Sequence, residues 1–399
     1  MEVDFIVFNR NITYIHRMLS MKKIICSLLT FFAVLPAMAQ IDGNGYYRVR
    51  NFTTERYIVV VDNKSKGVDK VTTTADLLAL NTIRSWDKIA SNPASVLYIE
   101  KVADNEYNVK AQGCDAHAIM GFYLRLSQLN GYPSIYKAYQ TESGVTAYLS
   151  DEIGDWDVAY LNTNEKRAQN WVVTPISKES ENYFGIKPTV TAGGKHYAPF
   201  FASFPFKPAV EGMKMHYVSK IDYVNNIAVT KELTGEVVPA SAPLIVECPS
   251  VETFDNKVDV VESALAAPSD NLLTGVYFDY AETAYHTNQV KYDPLTMRVL
   301  GVCADGKLGF VKQEGLTTIA ANSHYLQVDG TCADELAVMD EKEYEEFVVT
   351  GIQHVTMPAA ASNDNNIYTL QGVRVEDNGF KNNMQTKGIY IVGGKKVIK

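Results

Sequence analysis

Cysteine and histidine are scarce in this sequence of 399 residues, which contains five of the former and seven of the latter. No two of the histidines that follow residue 39 lie within four positions of each other, which excludes a pair of metal ligands on one helix turn. The cysteine spacings match no zinc motif. The distribution of both residue types therefore predicts neither a metal centre nor a cofactor.

Long apolar runs are also rare, and the clearest one lies near the N-terminus. Lys22 and Lys23 precede a mainly apolar stretch at 24–35, and Ala37 and Ala39 supply the small residues of a signal peptidase site. The stretch is shorter than the roughly 20 residues that a membrane span needs. We predict a signal peptide that starts at Met21, an exported protein at the cell surface or outside the cell, and no membrane span after residue 39; a buried helix is the alternative.

Export permits disulfide bonds among the cysteines that follow the predicted upstream extension and leader of residues 1–39. Cys303 and Cys332 lie in one segment and could form a bridge. Four small buried thiols are the alternative that we favour, because unbonded cysteine packs as a small apolar residue. The four residues are Cys114, Cys248, Cys303 and Cys332.

Positive charge is deficient, since 37 lysines and arginines face 46 aspartates and glutamates, a net charge of −9. Nucleic acid and anionic membranes bind through dense positive patches, so neither is predicted as a partner. The last segment, 367–399, differs: it has six lysines and arginines against Glu376 and Asp377, a net charge of +4. A basic tail on an acidic chain is typical of a targeting segment that other proteins recognise.

Catalytic signatures are missing as well. The sequence has no G-x-S-x-G, H-E-x-x-H, P-loop or G-x-G-x-x-G motif. We predict a protein that is not an enzyme, although a site assembled from distant residues leaves no such motif. Residues 151–157, DEIGDWD, bring four carboxylates together and could hold calcium, but they lack the spacing of a calcium loop. A solvated acidic turn is the favoured interpretation.

Strand patterns dominate the rest of the chain. The 24 tyrosines, together with abundant valine and threonine, favour β-structure. Residues 46–61 predict two strands around a turn at 51–55, and 96–102 pairs with 106–111. An apolar stripe of helical spacing at 74–89 predicts one helix. The fold class predicted is all-β.

The N-terminal segment resembles the β-trefoil of ricin-type lectin domains. The start GYYRVRNFTTERYIVV is similar to a repeat opening of that family, and Gln169-Asn170-Trp171 matches its Q-x-W. The resemblance implies a β-trefoil-like domain at 40–181 with a sugar site on the last repeat. Asp157 and Asn162 would provide polar contacts, Tyr160 a stacking surface, and Gln169 and Trp171 support from the core.

The sequence pattern of residues 182–350 differs from that of the N-terminal segment and predicts an antiparallel β-sandwich. Asn225-Asn226 and Asp305-Gly306 are predicted hairpin turns. The run 197–206, YAPFFASFPF, predicts an edge strand or the entrance of a strand because it contains two prolines. The stretches FPFKPAVEGMKMHYVS, VVPASAPLIVEC and MRVLGVCADGKLGF are similar to β modules of surface proteins of the Bacteroides and Prevotella group. We expect few contacts to cross the boundary near residue 182.

Residues 351–366 read as a linker, and 367–399 as a small β domain. This tail resembles the C-terminal sorting domain of the type IX secretion system of Bacteroidetes, which implies recognition by secretion machinery. Two strand pairs are predicted, one around 370–372 and one through Gly393-Gly394. The matching residues are Gly372, Gly388, Tyr390, Lys395, Lys396 and Lys399.

The sequence favours an exported, surface-associated, non-enzymatic binding protein that recognises glycan through its N-terminal domain. A structural or adhesive protein that binds other proteins and no sugar is the first alternative. A hydrolase acting on glycan is the second.

Overall fold

A computed structural model describes residues 41, 43–62, 78–103, 106–112, 124–129, 132–137, 147–151, 158–162, 169–279, 290–350, 367–369, 374–375, 389–392 and 395–398. The predicted leader and the predicted linker lie outside these residues. Strands dominate the described part, which confirms the all-β class. No helix in the described ranges has the length and apolar character needed to cross a membrane.

The first sheet contains ten antiparallel strands from the N-terminal half of the chain. Their order is β10-β1-β2-β3-β9-β8-β7-β6-β5-β4, and β4 also pairs with β1, so the sheet closes on itself. The closed sheet surrounds an apolar cluster that includes Val49, Leu149 and Trp171. The strands are β1 (Gly45–Asn51), β2 (Tyr57–Asp62), β3 (Leu78–Ile83), β4 (Leu97–Ala103), β5 (Glu106–Lys110), β6 (Leu124–Leu129), β7 (Tyr132–Lys137), β8 (Ala147–Asp151), β9 (Val158–Asn162) and β10 (Trp171–Pro175).

Local sequence rules account for the first hairpin but not for its neighbour. The predicted turn at 51–55 is confirmed: Asn51 Oδ1 accepts hydrogen bonds from the amides of Thr53 and Thr54, at 2.9 and 3.0 Å. The predicted helix at 74–89 is wrong. Its described residues form strand β3, which pairs with the whole of β2, and only α1 (Trp86–Ile89) is helical. Strand pairing with β2 outweighs a weak helical periodicity.

The second half of the chain builds a three-stranded sheet and a ten-stranded sheet. The three-stranded order is β11-β18-β14, and the ten-stranded order is β12-β13-β17-β15-β16-β23-β21-β20-β22-β19. The strands are β11 (Phe184–Gly185), β12 (Val190–Ala192), β13 (Lys195–Phe200), β14 (Phe206–Pro208), β15 (Lys214–Asp222), β16 (Ile227–Glu232), β17 (Leu244–Cys248), β18 (Lys257–Val260), β19 (Leu273–Val276), β20 (Met297–Val302), β21 (Leu308–Val311), β22 (Ser323–Gln327) and β23 (Glu335–Asp340). Short 3-10 turns occur at Pro93–Ser95 and Thr253–Asn256.

Both predicted hairpins of this half are confirmed. Asn226 has φ of 55° in the β15–β16 turn, and Gly306 has φ of 83° between β20 and β21. The predicted edge strand is corrected in part, because β13 pairs with β12 on one side and β17 on the other. The pairing with β12 reaches only as far as Tyr197, so Pro199 lies where β13 is paired with β17 alone, a position that tolerates proline.

Arg48 links the two segments that the sequence separates at residue 182. Its Nη1 donates to Asn182 Oδ1 at 3.1 Å and to the Tyr183 carbonyl at 2.7 Å, and its Nε donates to Ser95 Oγ at 2.9 Å. Burial lowers the pKa of Arg48 to about 10. The expectation of few contacts near residue 182 is wrong, and the chain as far as Val338 forms one compact unit. The division into domains 40–181 and 182–350 stays a prediction.

The second compact unit comprises residues 339–399. It contains α2 (Glu341–Thr350), β24 (Ile367–Thr369), β25 (Arg374–Val375), β26 (Ile389–Val392) and β27 (Lys395–Ile398). The tail strands are ordered β25-β24-β26-β27, which confirms the pairing of the strands on either side of 370–372 and of Gly393-Gly394.

His324 is a buried histidine of the first unit. His324 Nε2 lies 3.0 Å from the Leu244 carbonyl, which can only accept, so Nε2 carries the hydrogen and Nδ1 is unprotonated. Nδ1 is buried and has no hydrogen-bond partner. Desolvation lowers the pKa of His324 from 6.5 to about 4, and the hydrogen bond to Leu244 opposes this shift only weakly.

We therefore expect the free energy of unfolding to decrease as the pH drops from about 6.5 to about 4. In that range His324 binds a proton in the unfolded chain but not in the folded chain. The loss attributable to this group is on the order of 3 kcal/mol below pH 4. Urea unfolding at several pH values should show a shallower acid slope for His324→Gln than for the parent. Equal slopes would contradict the prediction.

Candidate functional site

Three of the predicted ligand-binding residues belong to β9 or to the segment just before it. Asp157 lies outside the described residues. Tyr160 is in register with Ser150 of β8, and Asn162 with Tyr148. Because paired residues of antiparallel strands share a face, positions 160 and 162 lie on the face of β8–β9 opposite to Leu149. Of the two β8 partners, Ser150 is buried and Tyr148 is half-buried.

Gln169 and Trp171 lie in the core instead. Trp171 is 0% exposed and Gln169 is 2% exposed, so neither offers atoms to a ligand at the surface. The Trp171 indole Nε1 donates to the Leu149 carbonyl at 2.9 Å. This bond joins β10 to the middle of β8 from the core side, so the role left to Trp171 is to support the strand pair.

A buried ion pair holds the end of β8. Arg56 Nη2 donates to Asp151 Oδ1 and Arg56 Nε donates to Asp151 Oδ2, both at 2.8 Å. The Thr82 hydroxyl donates to Oδ1 at 2.9 Å, and the Thr54 hydroxyl donates to Oδ2. Asp151 is 0% exposed, and a two-point guanidinium–carboxylate pair has both strength and a defined direction.

This network shows that the predicted solvated turn at 151–157 is wrong for Asp151, the first residue of the segment. Asp151 is part of the core and not of a solvated turn, and both its oxygens are taken by arginine and threonine donors. It is therefore not open to calcium. The other three carboxylates of the segment lie outside the described residues, and the part of the chain that is described contains no group of three or more metal-ligating side chains.

Sequence reasoning missed this network, because Arg56 and Asp151 are 95 positions apart. The only available signal was an arginine beside Tyr57–Asp62, the mainly apolar strand that follows the first turn. Such a signal does not identify the partner. The sequence therefore did not predict the contacts that hold β8 and β9.

The described cysteines are not bonded to one another. Cys248, Cys303 and Cys332 are free thiols, and Cys114 lies outside the described residues. Burial raises the pKa of Cys248 to about 12 and that of Cys303 to about 11. Thiols that stay protonated are poor nucleophiles, so both residues act as small apolar groups, as expected.

The residues that carry the sorting resemblance are only partly described. Tyr390 lies in β26 opposite Val397 of β27, Lys395 lies opposite Val392, and Lys396 lies opposite Ile391. Gly372, Gly388 and Lys399 lie outside the described residues. Recognition of this sheet by secretion machinery stays a prediction.

Comparison with known proteins returned no match to a family model, to a curated protein or to a solved structure. The resemblances to ricin-type lectin domains, to Bacteroides and Prevotella surface proteins and to sorting domains therefore stay predictions.

Proposed function

We propose that this chain is an exported, surface-associated protein that binds glycan without catalysis, through the strand pair β8–β9. The observation that supports the proposal is the double anchoring of β8 from the core side. Trp171 holds its centre through the Leu149 carbonyl, and Arg56 holds its end through Asp151. A strand held in this way gives β9 a fixed partner.

A sugar site needs such rigidity. Sugars are recognised by directed hydrogen bonds to hydroxyls and by an aromatic ring that stacks on the C–H side of the ring. Binding is tighter when these groups do not have to be ordered first. Positions 160 and 162, a tyrosine and an asparagine, share one face of β9, and Asp157 directly precedes the strand. This residue set suits a neutral sugar.

The test is a glycan array probed with the full chain and with Tyr160→Ala, Asp157→Ala and Asn162→Ala. If these residues bind sugar at the surface, each substitution should weaken or abolish binding while the midpoint of thermal unfolding stays within a few degrees of the parent, since surface substitutions typically change stability by about 0.5 kcal/mol or less. Tyr223→Ala, which removes an exposed tyrosine from the β15–β16 turn, is the matched control.

Two results would contradict the proposal. One is a parent chain that binds nothing on a broad array, and the other is a set of variants that bind as well as the parent. A large loss of stability in Tyr160→Ala would show that this ring is a core residue.

One observation favours the adhesive alternative. Val224 is 90% exposed at the tip of the β15–β16 hairpin, next to Tyr223. The tip is rigid, because Asp222 Oδ1 accepts hydrogen bonds from the amides of Val224 and Asn225, each at 3.0 Å. A rigid apolar tip is suited to contact with another protein.

A further inference from the structure

An exposed phenylalanine is held on a firmly anchored turn of the first compact unit. Phe254 belongs to the 3-10 turn Thr253–Asn256 and is 60% exposed. Two positions later, the Asn256 side chain is fully buried and donates to the carbonyls of Ile186 and Ser250, at 3.1 and 2.7 Å. Its Oδ1 accepts from the Ser250 amide at 3.2 Å. The turn is therefore fixed although the ring is in solvent.

Strand β11 packs closely against the turn that carries Phe254. A Cβ atom added at Gly185 would lie 2.2 Å from the Thr253 carbonyl oxygen, so only glycine permits this approach. The Gly185 amide donates to the Ala90 carbonyl at the end of α1, at 3.0 Å. The turn that carries Phe254 is thus attached through β11 to the N-terminal half of the chain.

Two aromatic rings and one ammonium group form what we call the aromatic corner, defined by Tyr183, Phe254 and Lys257. The rings of Tyr183 and Phe254 are perpendicular, with centroids 5.4 Å apart. Lys257 Nζ lies 3.7 Å from the centroid of Phe254 and 4.9 Å from that of Tyr183. Trp86 extends the corner, with its ring edge-on to Tyr183 at 5.6 Å.

Within the part of the chain that the structure describes, Lys257 is not paired with a carboxylate. Among the ion pairs of the described residues, none involves Lys257. Contact with two aromatic faces keeps the ammonium in place without neutralising it. A positive charge therefore lies next to an exposed apolar ring in a chain of net charge −9.

We propose that the aromatic corner is a second binding site and that it takes an acidic sugar, a uronic acid residue of a glycan chain. The C–H side of the sugar would lie against the exposed part of Phe254, and the sugar carboxylate would pair with Lys257. The site needs little ordering on binding, because turn, rings and ammonium are already held. It shares no residue with the β8–β9 site and does not depend on it.

Charge also argues for a localised site. An acidic protein repels polyanions in general, so non-specific attraction to the rest of the surface is unfavourable. Affinity for a uronic acid chain would therefore come from the corner itself. The contribution of the Lys257–carboxylate pair would fall with added salt, since salt weakens ion pairs between solvent-exposed groups.

The experiment is a titration of the full chain with oligogalacturonate and with neutral maltooligosaccharide. Phe254→Ala is expected to weaken oligogalacturonate binding by about tenfold or more, as removal of an exposed anchor ring does. Lys257→Gln is expected to remove most of its salt dependence, and Lys257→Arg to retain it. Leu295→Ala, at a residue of similar exposure, and Lys342→Gln, with the same charge change, are the controls.

Several outcomes would overturn the inference. They are a parent chain that does not bind oligogalacturonate, unchanged oligogalacturonate binding by Phe254→Ala, a loss of neutral-chain binding in Phe254→Ala as large as the loss of oligogalacturonate binding, and equal losses for Lys257→Gln and Lys342→Gln. Tyr160→Ala separates the two sites. If it abolishes oligogalacturonate binding while Phe254→Ala does not, the acidic sugar belongs to β8–β9 and the aromatic corner is no site.

Discussion

Asp151→Ala is expected to lower the free energy of unfolding by about 3–5 kcal/mol, the cost of breaking a buried ion pair from one side. The substitution removes the anion that Arg56 contacts at two nitrogens, and it takes the acceptor away from the hydroxyls of Thr54 and Thr82. Urea unfolding followed by circular dichroism measures the change. Glycan binding should weaken as well, because β8 loses its anchor at this end.

Asp259→Ala is the matched control. Asp259 pairs with Lys178 at 3.2 Å, but both side chains are more than a third exposed. Solvent screens such a pair, so its loss should cost only about 0–1 kcal/mol. Similar losses for Asp151→Ala and Asp259→Ala would show that the buried network does not hold β8 as we describe.

Trp171→Ala should be about equally costly. Truncation of a buried tryptophan typically loses about 3–5 kcal/mol, and Trp171 is fully buried in the cluster enclosed by the first sheet. Its indole also donates to the Leu149 carbonyl, which is the contact that holds the centre of β8. Thermal and urea unfolding measure the effect.

Trp171→Phe separates the two contributions. Phenylalanine keeps most of the apolar volume but has no N–H group, so the buried Leu149 carbonyl loses that donor at a cost of about 1–3 kcal/mol. We expect its stability to lie between those of the parent and Trp171→Ala. A Trp171→Phe variant as stable as the parent would mean that the indole hydrogen bond does not support β8.

Short-range patterns predicted a large part of the strand arrangement. The turns at Asn225-Asn226 and Asp305-Gly306 were predictable because tight hairpins need residues that tolerate positive φ, and Asn226 and Gly306 both adopt it. The turn after β1 was predictable because asparagine caps its own following amides. Each of these features involves residues within a few positions of one another.

Strand β3 shows where such patterns fail. Its apolar residues Leu80 and Ile83 fit a helical stripe together with Leu77 and Trp86, and the sequence does not show that β2 lies alongside to pair with the strand. A short apolar run can satisfy either period. The partner strand decides between them, and it is known only once the chain has folded.

The candidate sites show the same contrast between features that the sequence predicts and contacts that only the folded chain creates. The Q-x-W pattern pointed to Gln169 and Trp171, and both are core residues of the kind that a packing role requires. Nothing in the sequence indicated that Arg56 would meet Asp151, or that Lys257 would lie on the ring of Phe254 beside Tyr183. These contacts join strands that are distant along the chain.

The sequence by itself determined the all-β class, the positions of the tight turns and the strand pairs of the tail, because backbone preferences and alternation act over a few residues. Only the tertiary structure decided that Arg48 and Asp151 are buried and that Phe254 is exposed on a fixed turn. The burial of a polar side chain depends on whether distant strands bring donors and acceptors to it. The exposure of an apolar side chain depends on whether distant strands bring other residues that cover it.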